Sequence, residues 1–414
     1  MSSNGSPAPT YILGGYQTDF ARNVTKEGGD VYSLLEEAVR GALEHTQVPA
    51  EDVDVAHVGN LAAELFCGQA QLGGMVAAID PAFGTLPTAR HEAACASGSV
   101  ATLAAMAELE AGRYDVALVV GVELMRNVVA QTAAEHLGSA AWNGREATDA
   151  RYPWPALFSE IADAYAERWG LEYEHLGRIA ELNFGNASRN PKAQAREWEF
   201  ERRAFTQDDG VNPVIEGRLR KQDCGRITDG AAAVVLASPQ YAAAHAGRTG
   251  RALEDLPAIR GWGHRTAPML LADKLARSAD SPYLFAHLRE AITDAYGRAG
   301  IEGPGDLDLI ETHDCFTITE YAALDHFGLT EPGKSWQVVE DGVIERDGSL
   351  PVNPSGGLIG LGHPVGATGV RMLLDVSRQV TDSAGDYQVD GARTAATLNV
   401  GGSCTTVVSF VVGR

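Results

Sequence analysis

Cysteine is scarce. The five residues, at 67, 95, 224, 315 and 404, are odd in number and widely spaced, which excludes a disulfide framework and makes a reducing compartment the expected setting. Basic charge is also in the minority: 33 Lys and Arg face 55 Asp and Glu, a net charge of −22. Such a chain is not expected to bind nucleic acid or an anionic membrane surface, and an anionic ligand must find a local basic patch. No apolar run is long enough to span a bilayer, and Met1 to Thr10 has neither the basic nor the apolar segment of a leader. Val411-Val-Gly-Arg414 carries no simple C-terminal address signal, so a cytoplasmic location is expected.

What is present is ample chain for two cores. At 414 residues, 45% of them hydrophobic, the chain exceeds the size at which one core usually stops growing. Residues 10–15 read as a first strand, 31–43 as an amphipathic helix, 53–58 and 115–121 as strands, and 227–237 as a strand after an Asp-Gly turn. From about 126 to 225 the texture changes. Aromatics, Asn, Pro and charge mix in Tyr152-Pro-Trp-Pro155 and in 190–203, as in an inserted lobe of helices and loops. The second half repeats the plan of the first. A strand at 306–312 runs into His313-Asp-Cys-Phe316 and a helix through Ala323, a Gly-rich segment 353–369 leads into a helix at 370–380, and 394–400 with 406–412 form a hairpin. Two packed α/β units are expected, 1–125 with 226–250 and 251–414, around the inserted 126–225, with a ligand where strand ends converge.

Cys95 lies in His91-Glu-Ala-Ala-Cys-Ala-Ser-Gly-Ser99, where small residues precede an apolar helical run. A sulfur at a helix start feels the positive end of the macrodipole and unpaired N–H groups, both of which favour the thiolate, yet a free thiol is only a few per cent ionised at pH 7, so Cys95 needs a neighbouring base. Taken alone, a free cysteine also fits a small buried hydrophobe. Three further turns carry reactive or permissive residues: His313 with Cys315, His363 before Pro364, and Gly401-Gly402 beside Asn399. His313-x-Cys315 is half of a zinc-ligand pattern, but no second pair with ligand spacing accompanies it, and no metal is expected. Cys67, Cys224 and Cys404 are assigned structural places. Together the four turns meet the needs of acyl transfer at a thioester. Cys95 is the candidate nucleophile, His363 its base and Cys315 a second proton carrier for an enolate carbon; His313, His363 and the amides of Cys95 and Gly401 are donors to oxyanions.

Cys95-Ala-Ser-Gly-Ser99, the Gly-His-Pro core of 353–369, and Gly225-Arg-Ile-Thr-Asp-Gly-Ala-Ala-Ala-Val-Val-Leu236 together resemble the thiolase superfamily, over essentially the whole chain. In ordinary thiolases a second catalytic cysteine stands two residues before an oxyanion-hole glycine near the C-terminus, and the second half carries Asn-Glu-x-Phe. Here Asn399 occupies the first place and His313-Asp-Cys-Phe316 the second, so the cysteine lost from one turn reappears in the other. This paired departure is similar to the sterol-carrier-protein, lipid-transfer-type branch. The resemblance implies a five-layered α-β-α-β-α core of two similar halves with an inserted, CoA-binding loop domain, and a homodimer or homotetramer. It implies CoA as co-substrate, with no permanently bound cofactor. It also implies cleavage of 3-oxoacyl-CoA to acetyl-CoA or propionyl-CoA via an acyl-Cys95, or the reverse Claisen condensation, in fatty acid or sterol degradation. Arg202, Arg203, Arg218, Arg220 and Lys221 are the candidates for the CoA phosphates. With a core strand last in the sequence, no fused sterol-carrier domain is expected.

Three other activities compete. A decarboxylating ketoacyl synthase shares the fold and nucleophile but lacks a second cysteine. A steroid-type aldolase of the same branch forms no acyl-enzyme, against which Cys95 argues. A lipid-binding subunit acting with a small zinc-ribbon and OB-fold partner would not need Cys95, His313, Cys315 and His363 together.

Overall fold

Along Gly230–Ala237 both strand faces are apolar: Ala231, Ala233, Val235 and Ala237 enter one core, and Ala232, Val234 and Leu236 another. Successive side chains point to opposite faces, so such a strand must be covered on both sides. That requirement generates the architecture. The computed structural model describes residues 9–414, and most of the leader expectation for Met1 to Thr10 lies outside the described residues. The strands are β1 (Thr10–Gln17), β2 (Val55–Gly59), β3 (Thr88–His91), β4 (Val116–Glu123), β5 (Gly230–Ala237), β6 (Ala258–Thr266), β7 (Leu309–Thr312), β8 (Thr394–Gly401) and β9 (Thr406–Gly413). They form one mixed nine-stranded sheet, ordered β3-β2-β4-β5-β1-β6-β9-β8-β7. Only the pairs β2/β3, β2/β4 and β7/β8 are parallel.

The halves of the sheet meet at a narrow seam. β1 and β6 share only the matches Thr10↔Ile259 and Tyr11↔Ala258. Helix α1 (Val31–Thr46), started by a capping box between Asp30 and Ser33, covers the first half from outside. Helices α2 (Ser97–Glu110) and α9 (Thr368–Val380) pack together between the halves, α9 touching β1, β4 and β5 on one side and β7, β8 and β9 on the other. Helix α6 (Ala286–Ala299) covers β6 and β9. The order helix, half-sheet, helices, half-sheet, helix is the five-layered core that the thiolase resemblance implies.

The segment 126–225 contributes α3 (Ala130–Gly138), α4 (Pro153–Trp169), α5 (Tyr173–Ala187) and a small ribbon of Val214–Glu216 with Leu219–Arg220. Helices α7 (Thr317–Phe327) and α8 (Gly357–Leu361) follow in the second half. Among the described residues no helix is long and apolar enough to cross a membrane.

Candidate active site

Cys95 stands in the turn between β3 and α2, behind Ala94, whose φ of +50° is left-handed. That conformation costs a residue with a Cβ about 1–3 kcal/mol and must be held by its surroundings. Ser97 holds it: its hydroxyl accepts from the Ala93 N–H at 2.9 Å and donates to the Ala94 carbonyl at 2.6 Å. Gly401 presses against the same turn, where a Cβ would sit 2.2 Å from the Ala93 carbonyl oxygen. Buried Glu123 then ties this half to the loop that follows His363. Its carboxylate accepts from the Leu61 N–H (2.9 Å), the Ala62 N–H (3.1 Å) and the Gly366 N–H (3.1 Å), and burial lifts its pKa to about 7.

Two imidazoles meet the sulfur. The Cys95 sulfur and one ring nitrogen from each of His313 and His363 lie within 4.8 Å of one another, with the rings edge to face at 5.3 Å. Their other nitrogens are held differently. Nδ1 of His363 pairs with the Thr368 hydroxyl at 2.6 Å, and that hydroxyl donates to the Pro364 carbonyl at 3.2 Å. With the Thr368 proton on the Pro364 carbonyl, the hydroxyl accepts from Nδ1 of His363, and this tautomer leaves Nε2, which has no hydrogen-bond partner, as a lone pair. Asn399 does the reverse for His313. Its amide oxygen accepts from Ser99 at 2.8 Å, and its nitrogen donates to the Cys95 carbonyl and to Nδ1 of His313, both at 3.1 Å. His313 therefore bears its hydrogen on Nε2. One ring is a base, the other a donor. A sulfur and two imidazoles are also zinc-ligand types, and among the described residues this trio is the group so composed.

Between His313 and Cys315, Asp314 positions the histidine loop. It accepts from the Leu358 N–H (2.5 Å), the Ile359 N–H (3.2 Å) and the Asn183 amide (2.8 Å), so it caps α8, which leads into His363. Buried Arg371 on α9 bonds Glu311 (3.0 Å), Asp375 (3.2 Å) and the Ser355 hydroxyl (3.1 Å) beneath the same loops. Cys315 is buried, with its thiol 3.8 Å from the Thr319 hydroxyl. Cys95, Cys315, His363 and Gly402 all line one cavity of about 380 Å³.

At Cys95 desolvation opposes the helix-start field. Burial pushes the Cys95 thiol up to about 12, against the lowering pull of the Gly402 and Cys95 backbone N–H groups. Helix α2 starts only at Ser97, after the N-cap Ala96, and its field does not offset the desolvation. Burial, with Arg371, brings His363 down to about 3. Burial, with His363 and Arg371, holds His313 well below the usual imidazole range, and burial, with Cys95, raises Cys315 well above the usual thiol range. All four groups rest neutral. The amide reaching the Cys95 sulfur from the C-terminal hairpin belongs to Gly402, one residue after the expected Gly401.

The basic candidates disperse. Arg202 and Arg203 are exposed, Arg203 bonding Glu201 at 2.8 Å; Arg218 pairs with Asp163, and Arg220 with Asp209 at 2.6 Å. None of these four lines the cavity, whereas Lys221 does, and so does Arg226, for which the sequence carries no separate signal. Arg226 is a strut: it donates to the carbonyls of Lys221 and Cys224 and to Gln222. Sequence reasoning assigns no ring-setting role to Asn399 and Thr368; their positions beside Gly401 and after the Gly-His-Pro turn are the signals that point to them.

Residues 10–240 match the family described as Thiolase, N-terminal domain, and residues 272–414 match Thiolase C-terminal domain-like. An acetyl-CoA acetyltransferase of Methanothermobacter thermautotrophicus is 33% identical over 384 residues, 92% of this chain and 94% of the relative. Sterol carrier protein 2 of Oryctolagus cuniculus is 26% identical over 100% of this chain and 74% of its own length. Among solved structures, one titled Ltp2-ChsH2(DUF35) aldolase superposes with a TM-score of 0.79 at 20% identity, over 99% of each chain.

Proposed function

The chain belongs to the thiolase family and is an acyltransferase, and from that premise we propose that it cleaves a 3-oxoacyl-CoA through an acyl-enzyme on Cys95 and runs the Claisen condensation in reverse. The products are acetyl-CoA or propionyl-CoA and the shortened acyl-CoA. The Cys95 sulfur attacks the 3-oxo carbon as its proton passes to Nε2 of His363; both groups rest neutral, so transfer accompanies bond formation. The C2–C3 bond breaks, and its electron pair becomes the enolate of the departing thioester. Nε2–H of His313 and the newly protonated His363 donate to the enolate oxygen, and the Cys315 thiol protonates C2. CoA then gives its thiol proton to the Cys315 thiolate and attacks the acyl group on Cys95. The amides of Cys95 and of the Gly401-Gly402 turn hold that oxyanion, and the leaving Cys95 sulfur takes the proton back from His363.

The observation that carries this proposal is the convergence of the Cys95 sulfur with nitrogens of His313 and His363 within 4.8 Å, at a cavity that Cys315 also lines. CoA as co-substrate has its support in the acetyl-CoA acetyltransferase relative. The sequence-derived division, 1–125 with 226–250, 126–225 and 251–414, and a homodimer or homotetramer, belong to the same proposal. Brief incubation with acetoacetyl-CoA, followed by mass spectrometry of the Cys95 peptide, tests it. One acetyl group on Cys95 is expected; turnover without any adduct would contradict it.

A retro-aldol activity with an OB-fold partner has one observation in its favour, the 0.79 TM-score to a structure whose title names an aldolase and a DUF35 protein. It requires no acylation of Cys95, so the same experiment separates the two.

A further inference from the structure

The cavity beside Cys95 is built for more than an acetyl group. Its volume of about 380 Å³ equals about a dozen water volumes. Charge in its lining is confined to Lys221 and Arg226, apart from the neutral His363. The Arg226 guanidinium is spent on Lys221, Gln222 and Cys224, while Lys221 is exposed. That end suits the polar CoA arm, whose amides an apolar wall would leave without partners.

The remaining wall is apolar and largely aliphatic, and its aromatic part starts at the chemistry. Phe316, next to Cys315, packs against Phe158 with tilted rings whose centroids are 4.5 Å apart, and Phe158 packs at a tilt against Trp154 at 6.4 Å. Trp154 is fixed: its indole N–H donates to the Leu137 carbonyl at 2.9 Å. Its one polar atom is thereby satisfied, and what it offers the cavity is π-surface. Ala130, Ala134 and Leu137 line the same space from α3 at spacings that put them on one helix face. Two of these three are alanines, which leave room beside the rings.

Resting on the activity proposed above, we infer that the acyl group taken by Cys95 is a bulky, uncharged, ring-bearing one, held along the wall formed by Phe316, Phe158 and Trp154. Ring-on-ring contact and burial favour such a group over acetyl, and a terminal carboxylate would meet no cation along this wall.

The test compares acetoacetyl-CoA, 3-oxodecanoyl-CoA and 3-oxo-3-phenylpropanoyl-CoA. For the phenyl substrate kcat/KM is expected to exceed that of acetoacetyl-CoA by about tenfold or more, with the linear chain between them. Trp154→Ala should cut the phenyl-to-methyl ratio by about threefold to tenfold, and Ala134→Trp, which fills the space, should cut it too. Retained thermal melting of each variant guards against misfolding. A second measurement needs no turnover: dissociation constants of the thioethers S-(3-oxo-3-phenylpropyl)-CoA and S-(3-oxobutyl)-CoA with the native protein. Tighter binding of the phenyl thioether without turnover of any thioester would uphold the cavity assignment and sink the proposed activity. Turnover of acetoacetyl-CoA with equal or weaker use of the phenyl substrate would do the opposite.

Discussion

Asn399 donates to the Cys95 carbonyl, which can only accept, so its amide is oriented one way. Its nitrogen also donates to Nδ1 of His313 at 3.1 Å while its oxygen accepts from Ser99 at 2.8 Å. This orientation keeps hydrogen on Nε2 of His313, the donor an enolate oxygen needs. Asn399→Asp would place an acceptor against Nδ1, draw the hydrogen to that side and also repel the Cys95 carbonyl. Loss of one oxyanion donor lowers kcat by about 10²–10³. Steady-state kinetics with NMR of the imidazole nitrogens checks both halves; an unchanged tautomer would refute the role.

Cys315 is buried with its proton held and shares the cavity with Cys95. Cys315→Ala should leave single-turnover acylation of Cys95 by a reactive thioester measurable, yet suppress exchange of the α-protons of acetyl-CoA in deuterated water. Normal exchange in the variant would remove Cys315 as the carbon acid–base.

The Cys95 thiol, raised to about 12, gives a pH signature with a definite sign. Only the thiolate alkylates readily, and a raised pKa keeps its fraction small at neutral pH. The rate of iodoacetamide labelling of the free enzyme should climb about tenfold per pH unit through the neutral and mildly alkaline range, with no plateau there. His363→Ala should leave that slope in place, because the labelled species is the thiolate that has lost its proton to solvent, while slowing acylation by acetoacetyl-CoA, the step in which Nε2 takes the proton. A plateau below pH 8 would mean a thiolate at rest.

Much of this site is legible in the residues themselves. Small residues around Cys95, glycines around His363 and strand-like runs before His313 and Gly401 mark turns, and turns at strand ends are where reactive groups collect. The alternating faces of β5 likewise announce a strand covered on both sides. What is not legible depends on distance between segments. The desolvation that opposes the helix-start field at Cys95 comes from packing across the fold, which the local sequence does not record. The aromatic wall joins Trp154 and Phe158 of the inserted segment to Phe316 of the second half, a contact no local pattern records. Arginines 203, 218 and 220 look free in the sequence because Glu201, Asp163 and Asp209 meet them only in the fold.

Arg371 is buried completely between Glu311 and Asp375. Arg371→Met would leave two carboxylates in the core without their cation, a loss of about 3–5 kcal/mol. Denaturant unfolding should register it. The pH profile should move as well. After burial, Arg371 is what lowers His363, and its charge also lowers His313. Without it both imidazoles protonate more easily, so the acid limb of kcat/KM should shift to higher pH. A stability loss with an unmoved acid limb would confine Arg371 to structure.

Lys221 is exposed at the cavity beside Cys95, and among the described residues no carboxylate pairs with it; Arg203, Arg218 and Arg220 each have an acidic partner. An exposed, unpaired cation attracts an anionic ligand with no existing ion pair to break, and salt screens that attraction. Lys221→Ala should therefore raise KM for CoA by about threefold to tenfold, with kcat little changed and a weaker dependence of KM on ionic strength. Arg218→Ala, which frees Asp163 rather than a phosphate site, should change KM by less than about twofold. If Arg218→Ala raised KM more than Lys221→Ala, the CoA phosphates would lie toward α4 rather than beside Lys221.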